Sequence, residues 1–388
     1  MGILLSVLSG FLLAAFVPLI HKVVKEKIGW VIAIVPFSSF VYFFSYLPKI
    51  CGDDCLTFEY TFRWIPSLGV HLSFYLDGLS LLFALLISGI GALVMIYGGG
   101  YLKGHENIGR FYIFMLLFMS SMLGVVLASN LITMFVFWEL TSFSSYMLIG
   151  FYHNKEKSRW AALQALLVTG LGGLALLVGV LLIGSAGKSY ELSFLLVNEV
   201  KLGSHALYLP MLLLVLVGAF TKSAQVPFHF WLPGAMEAPA PVSAYLHSAT
   251  MVKAGVYLLA RMTPILGGTD EWHYLVTLAG STTMFLGALL ALAQTDLKKL
   301  LAYTTISALG ILVMLIGLGT KFASEAAIVF LLVHSLYKGA LFMVAGTIDH
   351  ETGTRETKYL SGLLKLMPFT AIAAILAAFS MSGFPPLL

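Results

Sequence analysis

The chain has 388 residues, 59% of them hydrophobic and 10% charged, with a mean hydropathy of +0.95 and a formal net charge of +4. A soluble domain is roughly a quarter charged, so a soluble globular protein is excluded. Apolar stretches of about 20 residues, enough to cross a roughly 30 Å hydrocarbon layer as helix, recur from end to end and predict an all-α polytopic membrane protein.

In chain order, caps, Gly/Pro breaks and charged gaps put twelve spans near residues 2–20, 29–47, 78–100, 110–128, 130–151, 159–185, 208–225, 240–262, 273–295, 301–319, 325–348 and 366–382. Outer-membrane strands would read as alternating segments of about ten residues, and no such pattern recurs. The first span lacks a basic n-region and a small-x-small cleavage site, so it reads as a retained helix. Met1-Gly2 with Ser6 fits a myristoylation pattern, which a spanning helix disfavours. The organisation expected is a three-helix N-terminal region over 1–100 with an external loop at 49–77, a five-helix repeat over 110–262 and a second repeat over 273–388. Spans five to seven and ten to twelve run alike, each ending at a proline break, with Pro227 matched by Pro385 and Pro386. An odd number of helices between corresponding elements makes the two repeats inverted. The second repeat stops at Gly383-Phe384-Pro385-Pro386-Leu387-Leu388, where its broken helix would resume, which reads as a C-terminal truncation.

With the N-terminus external, the loops carrying Lys22, Lys25, Lys27, Lys103, Arg110, Lys155, Lys157, Arg159, Lys298, Lys299, Arg355, Lys358 and Lys365 are cytoplasmic. The opposite side holds Lys49, Arg63, Lys188, Lys201, Arg261 and Lys321, the asymmetry expected of a membrane protein with positive residues inside. The net charge therefore reports topology, and no basic cluster suggests a nucleic-acid partner.

The remaining basic residues, Lys222, Lys253 and Lys338, fall within spans. A charge near the bilayer centre costs about 2.5 to 3.5 kcal/mol on insertion scales, so each is a functional candidate. Among the acids only Glu139 sits deep in a span, and His247 and His334 are similarly placed. The plainer reading is buried polar glue between helices, but glue is normally Ser, Thr, Asn or Gln, and six ionisable groups favour a functional set. His334 and Lys338, four apart, share a helix face about 6 Å from each other. His247 and Lys253, six apart, are offset by nearly two turns of a continuous helix, a spacing suited to successive stations on a path.

Residues 218–255 carry Pro227, Pro233, Pro239 and Pro241 in otherwise apolar sequence, and four prolines cannot fit one helix. Irregular backbone at membrane depth is tolerated only where protein or a water-filled cavity covers it; a cytoplasmic loop between two ordinary helices is the alternative. Lys222 precedes this break, and His247 and Lys253 follow it. A buried lysine loses its preference for the charged form and a carboxylate restores it. At about 4 Å and an effective dielectric near 20 the attraction is about 4 kcal/mol. Movement of Glu139 relative to Lys222 could thus switch that lysine between holding and releasing a proton.

Other motifs fail. Gly184-Ser-Ala-Gly187-Lys188-Ser189 resembles a phosphate loop, but Leu182 stands where its first glycine is required. Cys51 and Cys55, the two cysteines, fall in the external loop, where an oxidised local bridge is open to them. Two cysteines are too few for a zinc or iron–sulfur site, so neither metal nor cofactor is expected.

YLDGLSLLFALL at 75–86, FWELTSFSSYMLIGF at 137–151, the block at 218–255 and IDHETGTR at 348–355 carry a family resemblance over essentially the whole chain. The sequence resembles the A-subunit family of Mrp-type multisubunit Na+/H+ antiporters, within the superfamily shared with the proton-pumping membrane subunits of respiratory complex I. That resemblance implies two inverted five-helix repeats, each with a half-channel centred on a broken helix. It implies that Glu139 and Lys222 form the acid and lysine pair of the first half-channel, that His247 and Lys253 form the next relay, and that His334 and Lys338 serve the second repeat. Val168-Thr-Gly-Leu-Gly-Gly173 stands where complex I counterparts often carry Asp, and Phe330 and Val333 stand where His and Asn often precede the His334 motif. The Gly-Phe-x-Ser-Lys run of the family's second broken helix is absent.

The function expected is therefore monovalent cation (Na+)/proton antiport within a hetero-oligomer of membrane subunits in a bacterial or archaeal cell membrane, without enzymatic chemistry of its own. A proton-pumping subunit of a quinone oxidoreductase or membrane-bound hydrogenase is the second reading, and a non-transporting scaffold the third.

Overall fold

The computed structural model describes residues 2–52, 56–68 and 70–386. The chain opens with α1 (Gly2–Val24), α2 (Ile28–Phe44) and a one-turn α3 (Leu47–Ile50), followed by strands β1 (Phe58–Ile65) and β2 (Val70–Leu76). Then come α4 (Gly78–Tyr101), α5 (Ile108–Leu127), α6 (Leu131–Ile149), α7 (Glu156–Gly187) and the short α8 (Leu192–Val197). The interrupted region comprises α9 (Tyr208–Lys222), one-turn α10 (Trp231–Gly234), α11 (Ala240–Ser248) and α12 (Met251–Leu266). The chain ends with α13 (Asp270–Leu292), α14 (Leu297–Leu318), α15 (Lys321–Thr352), α16 (Leu363–Leu366) and α17 (Pro368–Met381). Each of the twelve expected spans thus has a helical counterpart among the described residues, and the chain is a multi-pass membrane protein.

Two expectations are corrected and one is extended. To the helical membrane fold the structure adds one small hairpin, β1 and β2 pairing antiparallel, Phe58 opposite Leu76 through Ile65 opposite Val70, in the loop between α3 and α4. Their aromatic and β-branched residues suit a pleated, half-buried surface. The span expected over 240–262 is two helices, α11 and α12, divided at Ala249 and Thr250. Here Ser248 Oγ donates to Ala244 O and Thr250 Oγ1 to Tyr245 O (2.7 Å), hydroxyls competing for carbonyls that a continuous helix would use. The tenth span begins at Leu297, not 301, because Asp296 caps it by accepting from the amides of Lys298 and Lys299. Lys298, expected in a cytoplasmic loop, is consequently buried in the first turn of α14.

Contacts among the loops sort into two sets. In one, Ser129 N donates to Ser73 O, Leu192 N to Ser129 O and Leu202 N to Ile265 O. In the other, Lys103 pairs with Glu26, Arg110 Nη2 donates to Phe151 O, Leu297 N donates to Arg355 O, and Arg355 pairs with Asp296. Each of these joins loops that the alternation of twelve spans assigns to the same side. The phosphate-loop lookalike is the last turn of α7 with Lys188 as its left-handed C-cap. Cys51 is exposed, whereas Cys55, and with it the bridge between them, lies outside the described residues, as does Met1 of the myristoylation pattern.

One buried ion pair ties the hairpin side to the broken helices. Asp77 caps α4 reciprocally with Ser80 and accepts two bonds from Arg261 of α12, at 2.6 and 2.9 Å. Burial alone would raise the Asp77 carboxyl, but the Arg261 guanidinium and Ser80 hold it down at about 2. A depressed carboxylate contributes stability present above its ordinary value of 3.8 and lost as pH falls towards about 2. Asp77→Ala, which leaves Arg261 buried and unpaired, is expected to cost about 3–5 kcal/mol. The Tm of the detergent-solubilised protein at neutral pH measures this, and Asp77→Asn/Arg261→Gln is expected to recover most of the loss.

Candidate functional site

Lys222, His247, Lys253, His334 and Lys338 are each 0% exposed. Lys222 ends α9, where helix carbonyls favour a cation. Its Nζ donates to Trp138 O (3.0 Å) and Ser142 Oγ (2.7 Å) of α6 and lies 5.0 Å from the centre of the Trp138 ring. Lys253, in the first turn of α12, donates to Leu331 O (3.0 Å) and Ser335 Oγ of α15. Lys338 of α15 donates to Leu301 O (3.3 Å) and Thr304 Oγ1 of α14. The arrangement repeats three times: a lysine reaches the neighbouring helix and meets one backbone carbonyl and one hydroxyl three or four residues further along.

No carboxylate lies within ion-pair distance of these lysines among the described residues. Glu139, next to Trp138 on α6, is within electrostatic reach of Lys222 but does not bond to it. Its Oε1 is buried without a hydrogen-bond partner, against Gly173 of α7. A Cβ on Gly173 would overlap Glu139 Oε1, and one on Gly172 would overlap Thr221 Oγ1. The glycines at 172 and 173 therefore cut a notch in α7 that seats α9 and the Glu139 carboxylate.

His247, in the last turn of α11, lies between Trp231 (6.4 Å between ring centres) and Phe342 (6.1 Å), and Trp231 Nε1 is fixed to Thr221 O at 2.9 Å. His334 lies between Phe330 and Tyr337, within electrostatic reach of both Lys253 and Lys338. Neither ring nitrogen of either histidine bonds to a protein group. The structure thus gathers Lys253, His334 and Lys338 into one cluster and Glu139 with Lys222 into another. His247 and Lys253 are not on one continuous helix, since the break at Ala249–Thr250 separates them.

The four prolines lie between the end of α9 and the first turn of α11. Pro227 precedes a 3-10 turn, Pro233 lies in α10, Pro239 is the N-cap of α11 and Pro241 follows in its first turn. Sequence reasoning missed Lys298. Its Nζ donates to Met236 O (3.1 Å) and Ala238 O (2.6 Å) of this stretch, within electrostatic reach of His247. It borders a polar cavity of about 430 Å³ lined also by Glu237, Asp296, Asp349, Arg355 and Glu356. The capping signal of Asp296 would have found it.

Residues 128–388 match the family described as NADH:quinone oxidoreductase/Mrp antiporter, TM. The chain belongs to that family. Residues 64–112 match the N-terminal part of complex I chain 5. The A-subunit of the Na+/H+ antiporter of Alkalihalophilus pseudofirmus is 46% identical over 98% of this chain and 49% of its own length. The chain thus spans about half the length of the curated relatives it matches. A chain of the Mrp complex from a Dietzia species superposes with a TM-score of 0.91 at 42% identity, over 100% of this chain and 42% of that one. A chain of respiratory complex I from Thermus thermophilus superposes with a TM-score of 0.85 at 25% identity, over 99% of this chain and 79% of that one.

The Gly173 notch yields a specific expectation. Gly173→Ala should expel the Glu139 carboxylate from its seat while adding a residue of higher helix propensity to α7. Gly173→Ala is expected to lower the Tm of the detergent-solubilised protein, whereas Gly170→Ala, with open space at its Cβ, should not lower it.

Proposed function

We propose that the chain carries the intramembrane proton relay of a monovalent cation (Na+)/proton antiporter, as the A-subunit of a hetero-oligomeric Mrp-type complex. Na+ and H+ are the transported ions, and no enzymatic step belongs to the chain. The observation that carries this reading is the threefold repetition of a buried lysine held by one carbonyl and one hydroxyl. A neutral amine keeps two N–H donors and gains a lone pair, while a hydroxyl both donates and accepts. The ammonium donates to both partners; after deprotonation the amine still donates to the carbonyl, and the rotated hydroxyl donates to its lone pair. Such a pocket serves both protonation states without moving the backbone, which is what a proton-carrying station requires.

Glu139 tunes Lys222, Lys253 and Lys338 are further stations, and His334 bridges the latter two. His247, with both ring nitrogens free of protein bonds, links the broken stretch to Lys298, which faces the polar cavity. Two inverted repeats, 110–262 and 273–388, organise the relay after an N-terminal region of 1–100. Five spans apart, α7 and α15 are each 32 residues long, and α6 and α14 each anchor a lysine. A proton pump driven by redox chemistry is the second reading, favoured by the likeness to a complex I chain.

Expression of the complete complex in antiporter-deficient cells, with cation-induced ΔpH dissipation measured in everted vesicles, tests the reading. Wild type is expected to exchange Na+ for H+ without respiratory substrate, and Glu139→Ala and Lys222→Ala to lose at least about tenfold in rate at matched expression. Proton movement only during oxidation of an electron donor would favour the redox pump, and variants equal to wild type would reduce the chain to a scaffold.

The orientation proposed is N-terminus external in a bacterial or archaeal cell membrane. The excess of basic residues on the cytoplasmic side persists when buried Lys298 and Arg261 are removed from the loops. A membrane-impermeant maleimide is expected to label the Cys51 loop in intact cells; labelling confined to everted vesicles would reverse the orientation.

A further inference from the structure

Lys253 stands on a helix that does not run on continuously from the one before it. The break at Ala249–Thr250 detaches α12 from α11, so the 16 residues of α12 form a separate rod about 24 Å long. Three buried side chains four residues apart, Lys253, Tyr257 and Arg261, lie on one face of that rod and tie it at three heights. Lys253 reaches α15, Tyr257 Oη donates to Val126 O of α5 at 2.9 Å, and Arg261 forks onto Asp77 at the head of α4. Two neutral bonds add to the outer end, from Leu202 N to Ile265 O and from Tyr208 Oη to Leu266 O.

The Arg261 tie differs from the others in kind. It is bidentate and charge-assisted, and 4% and 21% exposure of the two side chains limits competition from water. Arg261 Nε also donates to Tyr257 Oη at 3.2 Å, which joins two of the three ties. Asp77 is itself immobilised, because Ser80 donates to its Oδ1 from both N (2.9 Å) and Oγ (2.7 Å). The pair thus couples the outer end of α12 to the first turn of a long helix. The rows i, i+4 and i+8 transmit any slide or rotation of that end to Lys253, whose amine has to meet one carbonyl and one hydroxyl on α15.

We infer that Asp77 and Arg261 are positioning residues for Lys253, their fork fixing the depth and rotation of α12 at which the Lys253 amine meets Leu331 O and Ser335 Oγ. The inference rests on the relay reading above. The titratable groups facing the fork are Tyr75 from β2 and Tyr257 from α12; those facing Lys253 are His334 and, one turn on, Lys338, both from α15. Among the described residues the further carboxylate at this end is Glu59 of β1, opposite Tyr75, and it makes no ion pair with Arg261.

The test uses the whole complex in everted vesicles, comparing wild type, Lys253→Ala, Asp77→Asn, Arg261→Lys and Asp77→Asn/Arg261→Gln for complex abundance, exchange rate and the pH midpoint of exchange. Asn retains the capping function at 77, and the double variant leaves no buried charge unpaired, so the fork is removed with the least damage to folding. The expected result is a double variant of near-normal abundance whose exchange is slowed about tenfold or more, with a displaced pH midpoint, and an Arg261→Lys variant of intermediate rate. Wild-type rate and midpoint in the double variant, with Lys253→Ala inactive, would overturn the positioning role alone. Full exchange by Lys253→Ala would instead remove the relay reading on which it rests. If no fork variant accumulates, the pair is a folding element and the inference falls.

Discussion

A peptide carbonyl inside a hydrocarbon layer needs a donor, and an ammonium there needs acceptors. The fold meets both demands with the same contacts. Where the long helices are interrupted, between α9 and α11, the carbonyls of Met236 and Ala238 are taken by Lys298 Nζ, and Thr221 O at the end of α9 is taken by the Trp231 indole. Irregular backbone at this depth is tolerable only under such cover. Lys298 is therefore required by this stretch of backbone as much as the backbone is required by Lys298. Removing either leaves a buried polar group unsatisfied, which costs more than the bond itself is worth.

The interrupted helices follow from that constraint. Prolines end helix formation between α9 and α11, yet the second break, at Ala249–Thr250, contains neither proline nor glycine. Hydroxyls make it, Ser248 and Thr250 each occupying a carbonyl upstream. The two breaks set α9, α11 and α12 as short independent rods, each able to present one ionisable residue at its end. Lys222 and His247 lie in last turns and Lys253 in a first turn. A helix end is where unpaired backbone groups and their dipole act most strongly on a neighbouring charge.

Much of this is legible in the sequence, because the bilayer imposes a coarse and strong rule. Length and apolarity suffice for twelve spans, and the cost of burying charge singles out Glu139, Lys222, His247, Lys253, His334 and Lys338. What escapes depends on finer signals. Lys298 reads as a loop residue because the run Leu300-Leu301-Ala302 is the first strongly apolar one, although the cap at Asp296 starts the helix earlier. The β1–β2 hairpin is hidden when the loop is read for helical periodicity alone. The notch at Gly172 and Gly173 is unreadable, since nothing local to α7 records which side chains of α6 and α9 arrive opposite those positions.

The absence of a Glu139–Lys222 ion pair within 4 Å has a geometric cause. Lys222 inserts along the row of Trp138 and Ser142, one turn apart on α6, and Glu139 is rotated about 100° from Trp138 around that helix. The carboxylate is thereby turned towards α7 and seated at Gly173, out of contact yet close enough to be felt. At an effective dielectric near 20, unit charges attract by about 4 kcal/mol at 4 Å and about half that at 8 Å. A rotation of one side chain that closes a few ångströms would therefore strengthen the attraction between the two groups. A rigid contact pair would offer no such range. Among the described residues no acid acts on Lys253 or Lys338 as Glu139 does on Lys222. The other two depend on their carbonyl and hydroxyl partners and on the state of the histidine between them.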